Sequence, residues 1–344
     1  MKKIARYFLI LSALAVLSTL IPRLWALVTA KPERTPFTLY SCTVHDFTAL
    51  DTEGGRDYRF VDRQGNVYGD EAQPLFYASV LASKGMLPDS LEGRPVSLDE
   101  IERNNVFVTS DPADVNKTLP PVYLLMESVP ERLELKEPEE ALVSRKDGIY
   151  VYRMEDNSLL EEKSARLRED LLAEGFRFPA RLFSGNPTDR KDHDEGYLVT
   201  DAADRLYQIK QIDGALQVKH FPEADSLSLK HLIITEFENY STLGLLVTGE
   251  GRLAFLRQDG SVVVSEVPFD PCREDFLLIG DLFYYTVKTA TQKGERYYAL
   301  RTGDFSLVDS MERPYPQHFS LPGLGFTSHL DSWVKPRFVG FVVR

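Results

Sequence analysis

Leu243-Gly244-Leu245-Leu246-Val247-Thr248-Gly249-Glu250-Gly251-Arg252-Leu253-Ala254-Phe255-Leu256-Arg257-Gln258-Asp259-Gly260-Ser261-Val262-Val263-Val264-Ser265-Glu266-Val267 decides the fold class. Apolar runs of strand length, rich in β-branched and aromatic residues, alternate with glycine-containing turns at 249–251 and 259–260. The spacing predicts three consecutive antiparallel strands. Each turn is too short for the crossover that parallel strands need.

The same grammar extends in both directions. Upstream, Tyr197-Leu198-Val199 meets Leu206-Tyr207-Gln208-Ile209 across Asp201-Ala202-Ala203-Asp204, and Asp213-Gly214 leads into Leu216 to Phe221. Downstream, Phe276 to Ile279, Leu282 to Val287, Arg296 to Arg301 and Phe305 to Val308 follow one another, with Gly303 in the last turn. The recurrence is roughly 40 to 47 residues, the scale of a propeller blade, although no WD or kelch signature accompanies it. The expectation is therefore a mainly β, antiparallel domain of irregular, propeller-like hairpin repeats, with a β-sandwich as the alternative. Closer to the N-terminus, Phe37 to Leu50 and Tyr58 to Tyr68 read as strands, the latter a hairpin turning at Asp62–Asn66. The terminal run Phe338–Val343 reads as a strand that pairs with Phe37–Leu50 to complete a blade.

One or two helices interrupt this pattern. Pro74 to Lys84 reads as one, stopped by Gly85. The clearer one spans about 158–174, with Asn157 as cap, Leu160, Leu167 and Leu171 on one side and Gly175 as stop. Asp111 to Pro121 reads as a polar loop, Pro130 to Pro138 as an acidic connector.

The N-terminus is of another kind. Lys2, Lys3 and Arg6 precede an apolar run from Phe8 to Ile21, and Pro22-Arg23 interrupts it before Leu24-Trp25-Ala26-Leu27-Val28. As a signal peptide, the basic start and apolar core fit, with Val28-Thr29-Ala30 offering small residues before a cut. As an anchor, Tyr7 to Val28 supplies roughly 22 residues, enough to cross ~30 Å of hydrocarbon. Tyr7, Arg23 and Trp25 then dress its ends, and the bulk around Trp25 favours this second reading. Either way the chain divides into residues 1–30, a linker at 31–36 and an exported β-rich domain from 37 to 344. The expected location is a bacterial inner membrane with the domain in the periplasm, or the periplasm itself after cleavage near Ala30.

A net charge of −12 excludes a nucleic-acid partner of the usual kind, since phosphate binding requires a basic surface. Cys42 and Cys272 form no CxxC; whether they pair stays open. The lipobox-like Leu39-Tyr40-Ser41-Cys42 is displaced from the apolar core by the charged linker, so Cys42 is expected on a strand.

The stretch Glu174-Gly175-Phe176-Arg177-Phe178-Pro179, continuing through Ser184-Gly185-Asn186-Pro187-Thr188 to Asp194-Glu195-Gly196-Tyr197, resembles a family. Phe37-Thr38-Leu39-Tyr40-Ser41, Arg59-Phe60-Val61-Asp62 and Gly65-Asn66-Val67-Tyr68 are similar to it as well. That family is an uncharacterised group of Gram-negative bacterial proteins, a domain of unknown function. The resemblance implies one membrane segment, an exported domain and genes beside ABC-transporter subunits. It implies no activity, cofactor or catalytic residue.

Among polar clusters the richest is Asp189-Arg190-Lys191-Asp192-His193-Asp194-Glu195. Asp189, Asp192, His193, Asp194 and Glu195 are the candidate ligand or cation residues, because carboxylates beside an imidazole suit a divalent ion or acid–base work. Against this, the spacing is not an EF-hand and the interleaved Arg190 and Lys191 compensate the acids. No HxH, HExxH, GxSxG, SxxK or Walker pattern occurs. The three motifs Asp89-Ser90-Leu91, Asp225-Ser226-Leu227 and Asp309-Ser310-Met311 resemble periplasmic O-glycosylation acceptors and read equally as turns or caps. The expected function is a membrane-anchored accessory or binding protein. The alternative is a propeller-type hydrolase or a small-ligand or cation binder using the 189–195 loop.

Overall fold

The computed structural model describes residues 2–29, 35–51, 59–117, 119–129, 137–191, 193–291, 293–315, 320–328 and 334–342. Beyond the N-terminal helix Lys2–Thr29, five antiparallel sheets of three to five strands follow one another along the described residues, besides two two-stranded ones, Ser90–Leu91 with Arg94–Pro95 and Ser320–Ser328 with Val334–Val342. The first holds Thr38–Ser41, Asp46–Asp51, Arg59–Val61 and Val67–Tyr68; the second Val122–Leu125, Glu140–Ser144 and Ile149–Arg153. The third runs Phe183–Gly185, Tyr197–Thr200, Leu206–Ile212 and Ala215–Phe221. The fourth comprises His231–Ile234, Thr242–Val247, Arg252–Arg257 and Val262–Pro268. The fifth takes Asp275–Gly280, Tyr284–Thr291, Gly294–Arg301 and Leu307–Pro314, and Val106–Ser110 adds beside Asp275–Gly280.

Side-chain alternation explains why these sheets stack in series. In a strand, successive residues point to opposite faces. Leu198 faces a core shared by the third and fourth sheets, while its neighbours Tyr197 and Val199 face a core shared with the second. Leu246, Ala254 and Leu256 look back to the third sheet, whereas Leu245, Val247, Leu253 and Phe255 look forward to the fifth. Tyr285, Val287 and Leu300 join that forward core, and Tyr284, Tyr297 and Ala299 meet Tyr40, Cys42 and Phe47 of the first sheet. Four cores thus link the sheets in the order two, three, four, five, one. A sandwich has one core between two sheets; here interior sheets serve two cores each, as blades of a propeller do. No sheet closes on itself among the described residues, and none of the four cores joins the first sheet to the second.

Close packing demands a missing side chain at Gly244, where a Cβ would lie 2.6 Å from Leu198 Cδ1 and 3.1 Å from the Ile233 carbonyl. The decisive hairpins fold in the register their turns dictate: Val247 opposite Leu253, and Leu256 opposite Val262.

Several expectations change. The helix of the second-to-third sheet connection is Glu161–Ala173, and Asn157 does not cap it. Asn157 instead adopts φ +56 in a turn, because Arg153 N–H bonds to Ser158 O and keeps 158–159 extended beside Ile149–Arg153. Asp111 opens a short helix, Pro112–Asn116, inside the expected polar loop; its carboxylate accepts from Ala113 N–H and Pro112 suits a first helical position. Pro74–Lys84 divides into a 3₁₀ turn, Leu75–Tyr77, and a helix, Ala78–Ser83. Cys42 falls just past its strand. The terminal strand Val334–Val342 pairs with Ser320–Ser328, not with the first sheet. The linker residues 31–34, Tyr58 and 130–136 lie outside the described residues.

Candidate functional site

The 189–195 loop runs between Phe183–Gly185 and Tyr197–Thr200 of the third sheet. It turns inward rather than into solvent. Lys191 Nζ lies 2.6 Å from Asp194 Oδ1, 2.6 Å from Glu236 Oε1 and 2.5 Å from Asn186 O, with its side chain only 7% exposed. The second Asp194 oxygen accepts from Ser128 Oγ at 2.8 Å and Gly196 N–H at 2.9 Å. Glu195 Oε2 accepts from Lys210 Nζ at 2.9 Å and Gln208 Nε2 at 3.1 Å, and Gln258 Nε2 reaches Oε1 at 3.3 Å. Glu236 also accepts from Glu195 N–H and Asn186 Nδ2, both at 2.9 Å.

Every one of these carboxylate oxygens has a donor, and two ammonium groups offset three acids. That is what burial of charge requires. The contributors follow strand ends of the second, third and fourth sheets: Ser128 comes after Val122–Leu125, Glu236 after His231–Ile234, Gln258 after Arg252–Arg257. The network therefore cross-links three sheets at one end.

His193 differs from its neighbours. Its ring stacks on Tyr240 at 4.3 Å, and Nε2 is buried without a hydrogen-bond partner among the described residues. Glu195 Oε1 stands 3.8 Å away, beyond hydrogen-bond reach. The loop thus brings His193, Asp194 and Glu195 together, leaves Asp189 exposed, and has Asp192 outside the described residues. No group of three or more His, Cys, Asp or Glu is arranged to hold a metal among the described residues. Neighbouring Tyr197 is buried, which pushes its phenol well above the usual range, with Asp194 acting in the same direction.

Sequence reasoning weighed Lys191 as a compensating charge but passed over Glu236, Ser128, Gln208, Lys210 and Gln258. The 45-residue separation of Lys191 from Glu236 carries no local signal.

Two cavities lie elsewhere, at the first sheet. One of about 260 Å³ is bordered by Phe37, Leu50, Phe60, Gln73, Tyr77 and Val80. The other, about 580 Å³, is bordered by Cys42, Tyr68, Asp70, Gln73, Met86 and Leu91. Neither is bordered by the 189–195 loop. Ser90, Ser226 and Ser310 of the three Asp-Ser motifs are all exposed.

The N-terminal helix supplies the remaining feature. Lys3–Trp25 has a mean hydropathy of 2.0 and none of its most apolar window is buried, so it is long and apolar enough to cross a membrane or to serve as a signal sequence. Tyr7, Arg23 and Trp25 are all exposed on it.

Fold and site define a mainly antiparallel β, propeller-like protein with one apolar N-terminal helix. The chain belongs to the DUF4857 family, a domain of unknown function, whose pattern it matches over residues 37–300. No curated protein matches it in sequence. Among solved structures it is similar to the Dos1 propeller, at 12% identity and a TM-score of 0.30, covering 55% of this chain and 51% of that one. The chain spans about half the length of that structure. It is also similar to the dihydro-heme d1 dehydrogenase NirN in complex with DHE, at 11% identity and TM-score 0.27, covering 73% and 61%. A third is the β-propeller domain of Myceliophteria thermophila Cps50 (Swd1), at 10% identity and TM-score 0.29, covering 90% and 99%.

Proposed function

We propose that this is a membrane-anchored accessory protein of a Gram-negative inner membrane. Its propeller-like domain stands in the periplasm and binds a transporter subunit, an ABC transporter by the family resemblance, or another envelope protein. The observation that carries the reading is the apolar helix Lys3–Trp25, none of whose most apolar window is buried, preceding the β domain. An exposed run of that length has no place in water, and a bilayer satisfies it. Pairing of each buried acid at 191–195 with a donor supports a structural use of that cluster over a catalytic one. Affinity purification of the full chain from native membranes tests the proposal. A retained N-terminus together with co-purification of one membrane protein is the expected result. A mature chain starting at Lys31 that brings down no membrane protein overturns it.

A second reading rests on His193. Its Nε2, buried beside Glu195 with no hydrogen-bond partner among the described residues, is the feature in this loop that a small ligand or cation would satisfy. Calorimetric titration with zinc, manganese and calcium tests it, with His193→Ala as the control. Heat that is absent from both proteins removes this reading.

A further inference from the structure

Gln73 joins two 3₁₀ turns, Asp70–Ala72 and Leu75–Tyr77. Pro74 disfavours the helical conformation in the residue before it, and Gln73 accordingly has φ −59 and ψ 128. The residue at this break is only 7% exposed. Its Nε2 donates to Tyr77 O at 3.2 Å, which fixes the orientation of the amide, because the reverse assignment sets oxygen against oxygen. Oε1 is left buried with no hydrogen-bond partner among the described residues. A buried acceptor in that state is costly and calls for a donor.

Gln73 borders the cavity of about 260 Å³ at the first sheet. Strand alternation sets the sheet side of that cavity. Tyr40 and Phe47 pair and face the fifth sheet, whereas Thr48 and Leu50 take the opposite face, with Phe60 paired to Leu50. Pro74, Tyr77 and Val80 border the cavity from the helical segment. Thr48 Oγ1 already donates to Leu39 O at 3.4 Å, which leaves Gln73 Oε1 as the acceptor in need. The neighbouring cavity of about 580 Å³ also touches Gln73, but its other polar groups are spent. Both Asp70 oxygens accept from Lys84 Nζ at 2.8 Å, the Tyr68 hydroxyl donates to Asp62 at 2.9 Å, and Thr43 Oγ1 pairs with Ser41 Oγ at 2.9 Å. Interiors hold few voids larger than a water molecule, because the lining of each void forfeits its contacts. An apolar cavity of about 150 Å³ takes a benzene ring, so one of about 260 Å³ takes about ten heavy atoms.

We propose that the smaller cavity is a binding site for a neutral, largely apolar molecule of about ten heavy atoms that carries one hydroxyl or N–H donor, accepted by Gln73 Oε1. None of the described residues bordering it is charged, so an ionised ligand would be buried without a counter-charge. Phe37, Leu50, Phe60 and Val80 take up the apolar body, and the Gln73 carboxamide selects the polar end. The site is separate from the 189–195 loop, and it does not depend on whether the N-terminal helix is retained.

Fluorine NMR titration of the full chain in amphipol, with 4-fluorobenzyl alcohol and with 4-fluorotoluene, tests the proposal. The two compounds are close in size and differ in the hydroxyl donor. The expected result is saturable binding of the alcohol, about tenfold tighter than of 4-fluorotoluene, the worth of one net hydrogen bond. Gln73→Leu keeps the bulk, removes the acceptor and should reduce that preference to less than about twofold. Val80→Phe and Leu50→Phe fill the cavity from its two sides, and each one that shows a cooperative thermal transition should lose saturable binding. Should neither fold, the Gln73→Leu comparison decides alone. Equal affinity of the wild type for the two compounds overturns the proposal. Binding undiminished in a folded cavity-filling variant does so too, as does uptake by the wild type that never saturates, since that is partition into the amphipol.

Discussion

Lys191 Nζ and Glu236 Oε1 sit 2.6 Å apart, with side chains 7% and 4% exposed. They tie the loop of the third sheet to the strand end of the fourth. Replacing Lys191 with Met strands Asp194 and Glu236 as buried, uncompensated charges, which costs about 3–5 kcal/mol. Glu236→Gln keeps an amide oxygen for Lys191 and the Glu195 N–H, so it loses less, about 1–2 kcal/mol. Urea unfolding of the full-length protein in detergent checks both. Equal midpoints for wild type and Lys191→Met would mean that the network stabilises nothing.

Gly196 follows this network, and its backbone has φ +65. A Cβ there would fall 2.2 Å from the Ile209 carbonyl oxygen, an atom held in the strand ladder. Gly214, in the next turn, has φ +72 with open space around it. Gly214→Ala therefore carries only left-handed strain, about 1 kcal/mol. Gly196→Ala adds a backbone collision and is expected to lose at least about 3 kcal/mol, or to prevent folding. The comparison of the two alanine variants by thermal unfolding isolates the collision, and similar losses would contradict it.

Residues 243–267 announced their strands because each contact that sets them is local: Val247 meets Leu253 across a turn marked by glycine. Val106–Ser110 gave no such signal. It pairs with Asp275–Gly280, and nothing near Val106 encodes a partner so far along the chain. The terminal strand misled for the same reason, since pattern alone cannot choose between Thr38–Ser41 and Ser320–Ser328 as its neighbour. The charged loop was legible as a cluster, yet its inward turn depends on Glu236, Ser128 and Gln258 arriving from three other strand ends. Composition shows that charges are close in sequence; only the fold shows that they are spent on one another.

Asp281 gives the protein a pH-dependent stability. The carboxylate is buried after Asp275–Gly280, and Oδ1 accepts from Phe283 N–H at 2.9 Å and Tyr284 N–H at 3.0 Å. Burial outweighs these bonds and pushes its pKa from 3.8 to about 6. Between those values the folded protein holds a proton that the unfolded chain has released. The contribution is thus full below about pH 3.8, declines as pH rises, and is gone above about pH 6, a swing on the order of 3 kcal/mol. Asn at 281 keeps an oxygen for both N–H groups and does not titrate. Urea midpoints across pH 4 to 7.5 are expected to show Asp281→Asn gaining on wild type as pH rises. A constant difference between the two would rule out the linkage.

Cys42 and Cys272 are unbridged, one buried in the core between the first and fifth sheets, the other exposed before Asp275–Gly280. Burial raises the Cys42 thiol to about 12, with Asp281 and Glu92 adding to it. Thiolate is the reacting form, so raising this thiol from 9.0 to about 12 lowers the reactive fraction ~10³-fold, before any loss of access is counted. Ellman's reagent at pH 8 should therefore modify one thiol rapidly and the second only when urea unfolds the chain. Cys272→Ser should abolish the rapid phase and leave the slow one intact. Two thiols reacting together in the folded protein would place Cys42 at the surface, and none reacting even after unfolding would mean that the pair is oxidised.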